Sequence, residues 1–194
     1  MSDWGLPPPP PPKSSLLGLG KAVLGVDYGT RRVGVGVSAG LVPRPLTVLK
    51  HGGNDTAVGL QLLRLARGEM ADLIVVGMPF DKDGTETFQA QLTRDFARLL
   101  ASLSGERRGG GGGRGGPRVV LVDERYSSAE AAARMQHVSR KADVLARLDA
   151  ESACVILEAF FNDGGEDGAT HEAVPPEPVS QYVRRLSHCI VAGS

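Results

Sequence analysis

Net charge is the first thing this 194-residue sequence lacks: 22 Lys and Arg balance 22 Asp and Glu. A neutral chain has no overall basic field drawing it to nucleic acid, so any such affinity must come from local patches. Cysteine is scarce as well. Cys154 and Cys189 have neither metal-ligand spacing nor a disulfide framework around them. Cys154 lies in an apolar helical run and reads as a buried thiol, which suits a reducing compartment. The four histidines, His51, His137, His171 and His188, are scattered and converge on no site. No apolar run approaches the ~20 residues that span a membrane, and no internal repeat is visible. The length suits one domain of ordinary size, with a core large enough to fold independently.

Proline and glycine, by contrast, are concentrated in a few places. Residues 1–20 carry the tract Pro7 to Pro12, an extended spacer by composition; docking to a proline-recognising module is the other use of such a run. The segment lacks the Arg-rich amphipathic character of an organellar presequence. A cytoplasmic location is therefore expected, with the plastid as the alternative because transit sequences there vary widely. Residues 105–116 are nearly all glycine, with Arg107, Arg108 and Arg114. They read as a flexible loop expansion whose arginines have a second use as phosphate contacts. From residue 163 onward Gly, Glu and Pro dominate, which predicts a mobile acidic tail, with a short terminal helix over Val179–Ile190 as a further option.

The ordered domain is expected over residues 21–162. Ala22 to Asp27 is a short apolar run ending in a carboxylate. Val33, Val35 and Val37 then alternate with Gly34, Gly36 and Ser38 at the period of a strand with one packed face. The residues between them make a tight return, and Gly29 lets a backbone or phosphate approach. Pro45 to Lys50 is a third strand. Asn54 or Asp55 caps a helix over Thr56–Arg67 that stops at Gly68. Asp72 to Gly77 is a strand covered on both faces. Asp83 and Glu86 form a capping pair for a helix bearing Phe88, Leu92, Phe96, Leu99 and Leu103. Arg118 to Asp123 is a fifth strand, and Ser127 with Glu130 has capping-box spacing for a helix after it. Asp149 to Phe161 is an apolar helix with Asp149 in its first turn; residues 139–148 are helix-compatible but ambiguous. The pattern predicts an α/β fold, a mixed five-stranded sheet with helices on both faces.

An aspartate closing a core strand is costly to bury alone and calls for a cation or hydrogen-bond donors beside it. Asp27-Tyr28-Gly29-Thr30 has two families of users: ribonuclease-H-like nucleases, whose first-strand Asp binds metal, and actin or sugar-kinase ATPases, whose Asp-x-Gly-Thr loop holds nucleotide phosphates. A structural hairpin whose Asp caps a turn is the plain alternative. The ATPase reading needs a duplicated domain and a second phosphate loop, and the chain has neither.

Four further segments decide the matter: Val33-Gly34-Val35, Val75-Val76-Gly77-Met78-Pro79 leading to Asp83-Gly84-Thr85, Asp123-Glu124-Arg125 through Ser128, and Leu148-Asp149 through Glu158. With Gly25 to Arg31 they run in order from residue 22 to 161, and together they resemble the YqgF/RuvX family. Its members are ribonuclease-H-like proteins described as Holliday-junction-resolvase homologues and as pre-16S rRNA nucleases. The Pro-rich start, the Gly-rich insertion and the long tail depart from the family pattern and lie outside the matched segments.

The resemblance implies phosphodiester hydrolysis with Mg²⁺ or Mn²⁺, in which paired cations neutralise charge and activate water. By resemblance Asp27, Glu124 and Asp149 are the metal ligands and catalytic acids, since hard cations take carboxylate oxygens. Gly29, Thr30, Arg31 and Arg125 are placed to contact substrate phosphate. The implied partner is nucleic acid, either structured RNA, as in processing the 5′ end of pre-16S-type rRNA, or a four-way DNA junction. A non-catalytic nucleic-acid-binding module is the remaining class, though such modules generally lack the acids present here. Asp149 has an alternative use as a first-turn acid favoured by the helix dipole, and Glu124 as an ion-pair partner of Arg125. In the ribonuclease-H-like sheet that the resemblance implies, strand four lies next to strand one and strand five beyond it, about 10 Å from strand one at ~4.8 Å per strand. Asp81 or Asp83 is therefore the rival third acid.

Overall fold

The computed structural model describes residues 22–40, 42–81, 85–106, 115–123, 141–165 and 171–176. Six strands form one mixed sheet in the order β3-β2-β1-β4-β5-β6. They are β1 (Ala22–Tyr28), β2 (Arg32–Ser38), β3 (Arg44–Lys50), β4 (Ala71–Met78), β5 (Arg118–Asp123) and β6 (His171–Val174). The helices are α1 (Asp55–Gly68), α2 (Phe88–Glu106) and α3 (Lys141–Asn162). β1, β2 and β3 form an antiparallel meander, while β4 lies parallel to β1 and β5 parallel to β4.

Strand alternation divides the core into two layers. Leu24, Val26 and Tyr28 of β1, Val33, Val35 and Val37 of β2, and Ile74, Val76 and Met78 of β4 face one side. There they pack with Val58 and Leu62 of α1 and Phe96 and Leu100 of α2. The other side carries Val23, Leu73, Val75, Val120 and Val122 under Ile156, Leu157 and Phe160 of α3. Burying each of those large α3 side chains contributes ~1.5–3 kcal/mol. The expected α/β class and helices on both faces are therefore present.

Four expectations need correction. The sheet has six strands rather than five, because His171–Val174, assigned to the tail, adds antiparallel to β5. Edge strands this short carry little sequence signal: the burial pattern of β6 has one buried residue in four. Gly105 and Glu106 belong to α2 rather than to a loop, and a Cβ at Gly105 would meet Pro176; residues 107–114 lie outside the described residues. The cap of α2 is Thr87, whose hydroxyl accepts from the Ala90 N–H at 3.1 Å, while Glu86 binds Arg94 instead. Finally, α3 begins at Lys141. Asp149 therefore sits two turns into the helix, too far along for the dipole of the first turn to hold it.

Candidate active site

Asp27 ends the run of β1 residues that face α3, and its partner across the hairpin is Gly34. That face of β1 and β2 is nearly bare. Gly25, Gly34 and Gly36 occupy it, and α3 lies directly on them. A Cβ at Gly34 would overlap the carbonyl oxygen of Asp149, one at Gly25 would lie 2.5 Å from the Ala153 carbonyl oxygen, and one at Gly36 would lie 3.1 Å from Cys154 Sγ. Asp149, Ala153 and Leu157 are spaced by four and form one ridge of the helix, which the glycines receive as a groove. The backbone of Asp149 is thereby seated over Gly34, beside Asp27. Only a strand face without side chains lets a helix come this close.

Asp27 senses the charge of Asp149. The Asp27 carboxyl is pushed up from 3.8 to about 6, first by burial, which disfavours its charged form, and then by the negative charge of Asp149. A hydroxyl bond from Ser152, one turn beyond Asp149, pulls partly the other way. Asp149 in turn meets Arg32, whose Nε lies 2.6 Å from Oδ2. The approach is close, but its angle is not that of a hydrogen bond: Oδ2 is buried and accepts none among the described residues. Arg32 thus supplies charge to Asp149 without meeting the directional need of that oxygen.

The hairpin beside this pair is held at both ends. The Gly29 N–H donates to the Arg32 carbonyl at 3.1 Å, and a Cβ at Gly29 would lie 2.6 Å from that same oxygen. The Arg31 carbonyl accepts from the His51 N–H at 2.9 Å. Thr30 and Arg31 are exposed. On the opposite face of the sheet Tyr28, next to Asp27, stacks on Phe96 with ring centroids 4.3 Å apart and donates to Asp55 Oδ1 at 2.8 Å. His51 accepts the Gly53 N–H at Nδ1. Its proton therefore sits on Nε2, which reaches Asp55 Oδ1 at 2.7 Å. The Tyr28 carbonyl receives Gln89 Nε2 at 3.1 Å. These contacts fix the end of β1 from α1, α2 and the β3–α1 connection.

Of the residues expected at the site, Asp27 and Asp149 are brought together, with Gly29, Thr30 and Arg31 in the adjoining turn. Glu124, Arg125 and Asp83 lie outside the described residues; Asp81, the other rival third acid, is exposed after β4, with its N–H donating to the Thr85 carbonyl at 3.1 Å. Among the described residues no three His, Cys, Asp or Glu side chains gather as metal ligands would. The sequence reading overlooked Arg32, Ser152 and the glycine face. Part of the signal was present: Gly25 shares strand parity with Asp27, Gly34 and Gly36 share one face of β2, and Ser152 follows Asp149 by one helical turn. The donor set fits a hard divalent cation. Two carboxylates meet there, the Asp27 carboxyl raised by burial and by the charge of Asp149, and Asp149 has a buried oxygen with no hydrogen bond among the described residues.

Comparison with known proteins places the chain. The sequence profile of the RuvX family, described as Holliday junction resolvase, matches residues 21–163. A protein of Paraburkholderia phymatum named "Putative pre-16S rRNA nuclease" is 34% identical over 164 residues, 82% of this chain and 97% of that protein. A protein of the same name from Shewanella denitrificans is 31% identical over 75% of this chain and 96% of its own. A solved structure of Thermus thermophilus RuvC with a Holliday junction substrate aligns at 15% identity and a TM-score of 0.46, over 73% of this chain and 95% of that one. On the profile match and the extent of these identities, the chain belongs to the RuvX family.

Proposed function

We propose that the protein is a metal-dependent nuclease that hydrolyses nucleic-acid phosphodiesters in the processing of precursor 16S-type ribosomal RNA. The observation that carries this reading is the meeting of Asp27 and Asp149, from the first strand and the last long helix, with the Asp27 carboxyl raised by burial and by the charge of Asp149. The names of the relatives support RNA as substrate. The description of the family favours a second reading, cleavage of a four-way DNA junction.

In this proposal Asp27, Asp149 and Glu124 hold Mg²⁺ or Mn²⁺. When bound, the metal neutralises the phosphodiester and lowers the pKa of the attacking water. The protein's own residues do the rest. Asp27 and Asp149 present oxygens from two rigid elements whose separation is fixed by the glycine face, so orientation is settled before substrate arrives. Ser152 holds the Asp27 carboxylate at one oxygen. The Gly29–Arg31 turn offers a close-approach backbone and a cation to the substrate phosphate, and Arg125 adds a second cation.

The test offers precursor 16S rRNA and a four-way DNA junction side by side, with Mg²⁺ or Mn²⁺ and with chelator. Cleavage of the RNA that needs metal and disappears in Asp27→Asn and Asp149→Asn is the expected result. Cleavage of the junction alone moves the assignment to DNA. Cleavage that survives chelation or both substitutions refutes the metal site.

A further inference from the structure

Among the described residues Arg32 is the one cation paired with the acid pair, and nothing in the function above uses it. We propose that Arg32 is a substrate-phosphate ligand kept in reserve on Asp149: a divalent cation entering the acid pair takes the carboxylate, and the released guanidinium turns to the nucleic-acid backbone. This rests on the metal-dependent reading of the site.

Three observations carry the inference. The contact is close in distance yet lacks hydrogen-bond geometry, with Nε 2.6 Å from an oxygen that accepts no hydrogen bond among the described residues. The pairing therefore gains charge neutralisation but little of the directional strength of a well-formed Arg–carboxylate fork. Second, Arg32 opens β2 directly after the exposed Thr30 and Arg31, and its side chain is 44% exposed while that of Asp149 is 23% exposed. It bridges the acid pair and the solvent-facing turn, with room to leave. Third, a divalent cation and the Arg32 guanidinium on the same Asp149 carboxylate would repel one another at short range, and a substrate phosphate next to the turn offers the guanidinium another partner. Metal loading and substrate capture are thereby coupled through one side chain.

The experiment uses the full chain and two readouts. Mn²⁺ alone is titrated without nucleic acid, followed by calorimetry and by the thermal transition. Arg32→Ala is expected to bind Mn²⁺ about two- to fivefold more tightly than the parent, as removal of a part-exposed competing ion pair implies. In Arg32→Ala combined with Asp149→Asn that gain disappears. Binding to RNA is then measured with Ca²⁺ in place of Mn²⁺ across a salt series. Arg32→Ala is expected to bind more weakly, with a log–log salt slope smaller by about 0.7–0.9, the loss of one phosphate contact. Arg32→Gln serves as a second neutral variant should the alanine protein fold poorly, and Arg32→Lys should keep much of the salt slope. Equal or weaker Mn²⁺ binding by both neutral variants overturns the exchange, as does an unchanged salt slope. If the parent itself binds no Mn²⁺, the metal reading fails first and this inference falls with it.

Discussion

Removing a charge from the site should stabilise the empty protein. Asp27→Asn deletes the carboxylate that burial and Asp149 hold at about 6, against an ordinary 3.8, and keeps its size and a side-chain oxygen for Ser152. The folded protein holds the Asp27 proton over a pH window in which the unfolded chain has already lost it. This site therefore contributes most below about pH 4, and stability is lost as pH rises through about 6. Above that window the penalty is complete: roughly two pH units at about 1.4 kcal/mol each gives ~3 kcal/mol. Small relaxations of the site make about 1–3 kcal/mol the expected gain for Asn at pH 7.5. In a chain of this size that raises the Tm by roughly 2–10 °C. Urea and thermal unfolding of both proteins in chelator, at pH 4, 5, 6 and 7.5, should give curves that coincide near pH 4 and diverge as pH rises, with the variant on top. Saturating Mn²⁺ should then reverse the order, because only the parent retains the full acid pair. Parallel pH profiles, or a variant less stable than the parent at pH 7.5 in chelator, would refute the account of Asp27 as a strained, like-charged acid.

Three other outcomes follow from the same geometry. Gly34→Ala, which drives a methyl into the Asp149 carbonyl, should cost about 1–3 kcal/mol or more in urea unfolding, whereas Gly40→Ala, with open space around it, should change stability by less than about 0.5 kcal/mol. Tyr28→Phe keeps the stacking on Phe96 but removes the hydroxyl from Asp55, and should cost about 0.5–1.5 kcal/mol; no change in the urea midpoint would show that His51 alone satisfies Asp55. Replacing residues 107–114 with a short Gly-Ser segment while keeping Gly105 and Gly116 should leave the urea midpoint nearly unchanged, since closure entropy varies slowly with length. Gly116→Ala, by contrast, should destabilise, because its Cβ would meet the Ser104 backbone and side chain.

Much of the fold was legible because each central strand is a self-contained signal. Ala22 to Asp27 and Asp72 to Gly77 are apolar runs too short for helices, and Val33-Gly34-Val35-Gly36-Val37 announces its alternation. What escaped depends on partners distant in sequence. His171–Val174 becomes a strand only because the edge of β5 is open to it. Glu86 has ideal capping spacing, but Arg94 and the edge strand's Glu172 form a better network: Arg94 meets Glu172 at 2.6 Å, and Thr87 takes the cap. At the site, each acid stands out by its own local motif. Their meeting does not, because it is made by glycines, and a missing side chain reads as flexibility until the helix that fills its place is known. Arg32 was passed over for a related reason: in a turn with two adjacent arginines, only the seated helix tells which one faces the acid.

The glycine face also sets where this pair of acids can and cannot drift. A separation between catalytic groups held by interlocking side chains wanders whenever one of those side chains is replaced and the core resettles. Here strand backbone meets helix backbone, a hard stop that no repacking of Leu157 or Ile156 can compress. Substitutions deep in either core layer should therefore lower the melting point of the protein well before they alter the spacing of Asp27 and Asp149. The acid pair is in this sense uncoupled from the accumulated wear of the rest of the chain, and its tolerance resides in three positions where there is no side chain to change.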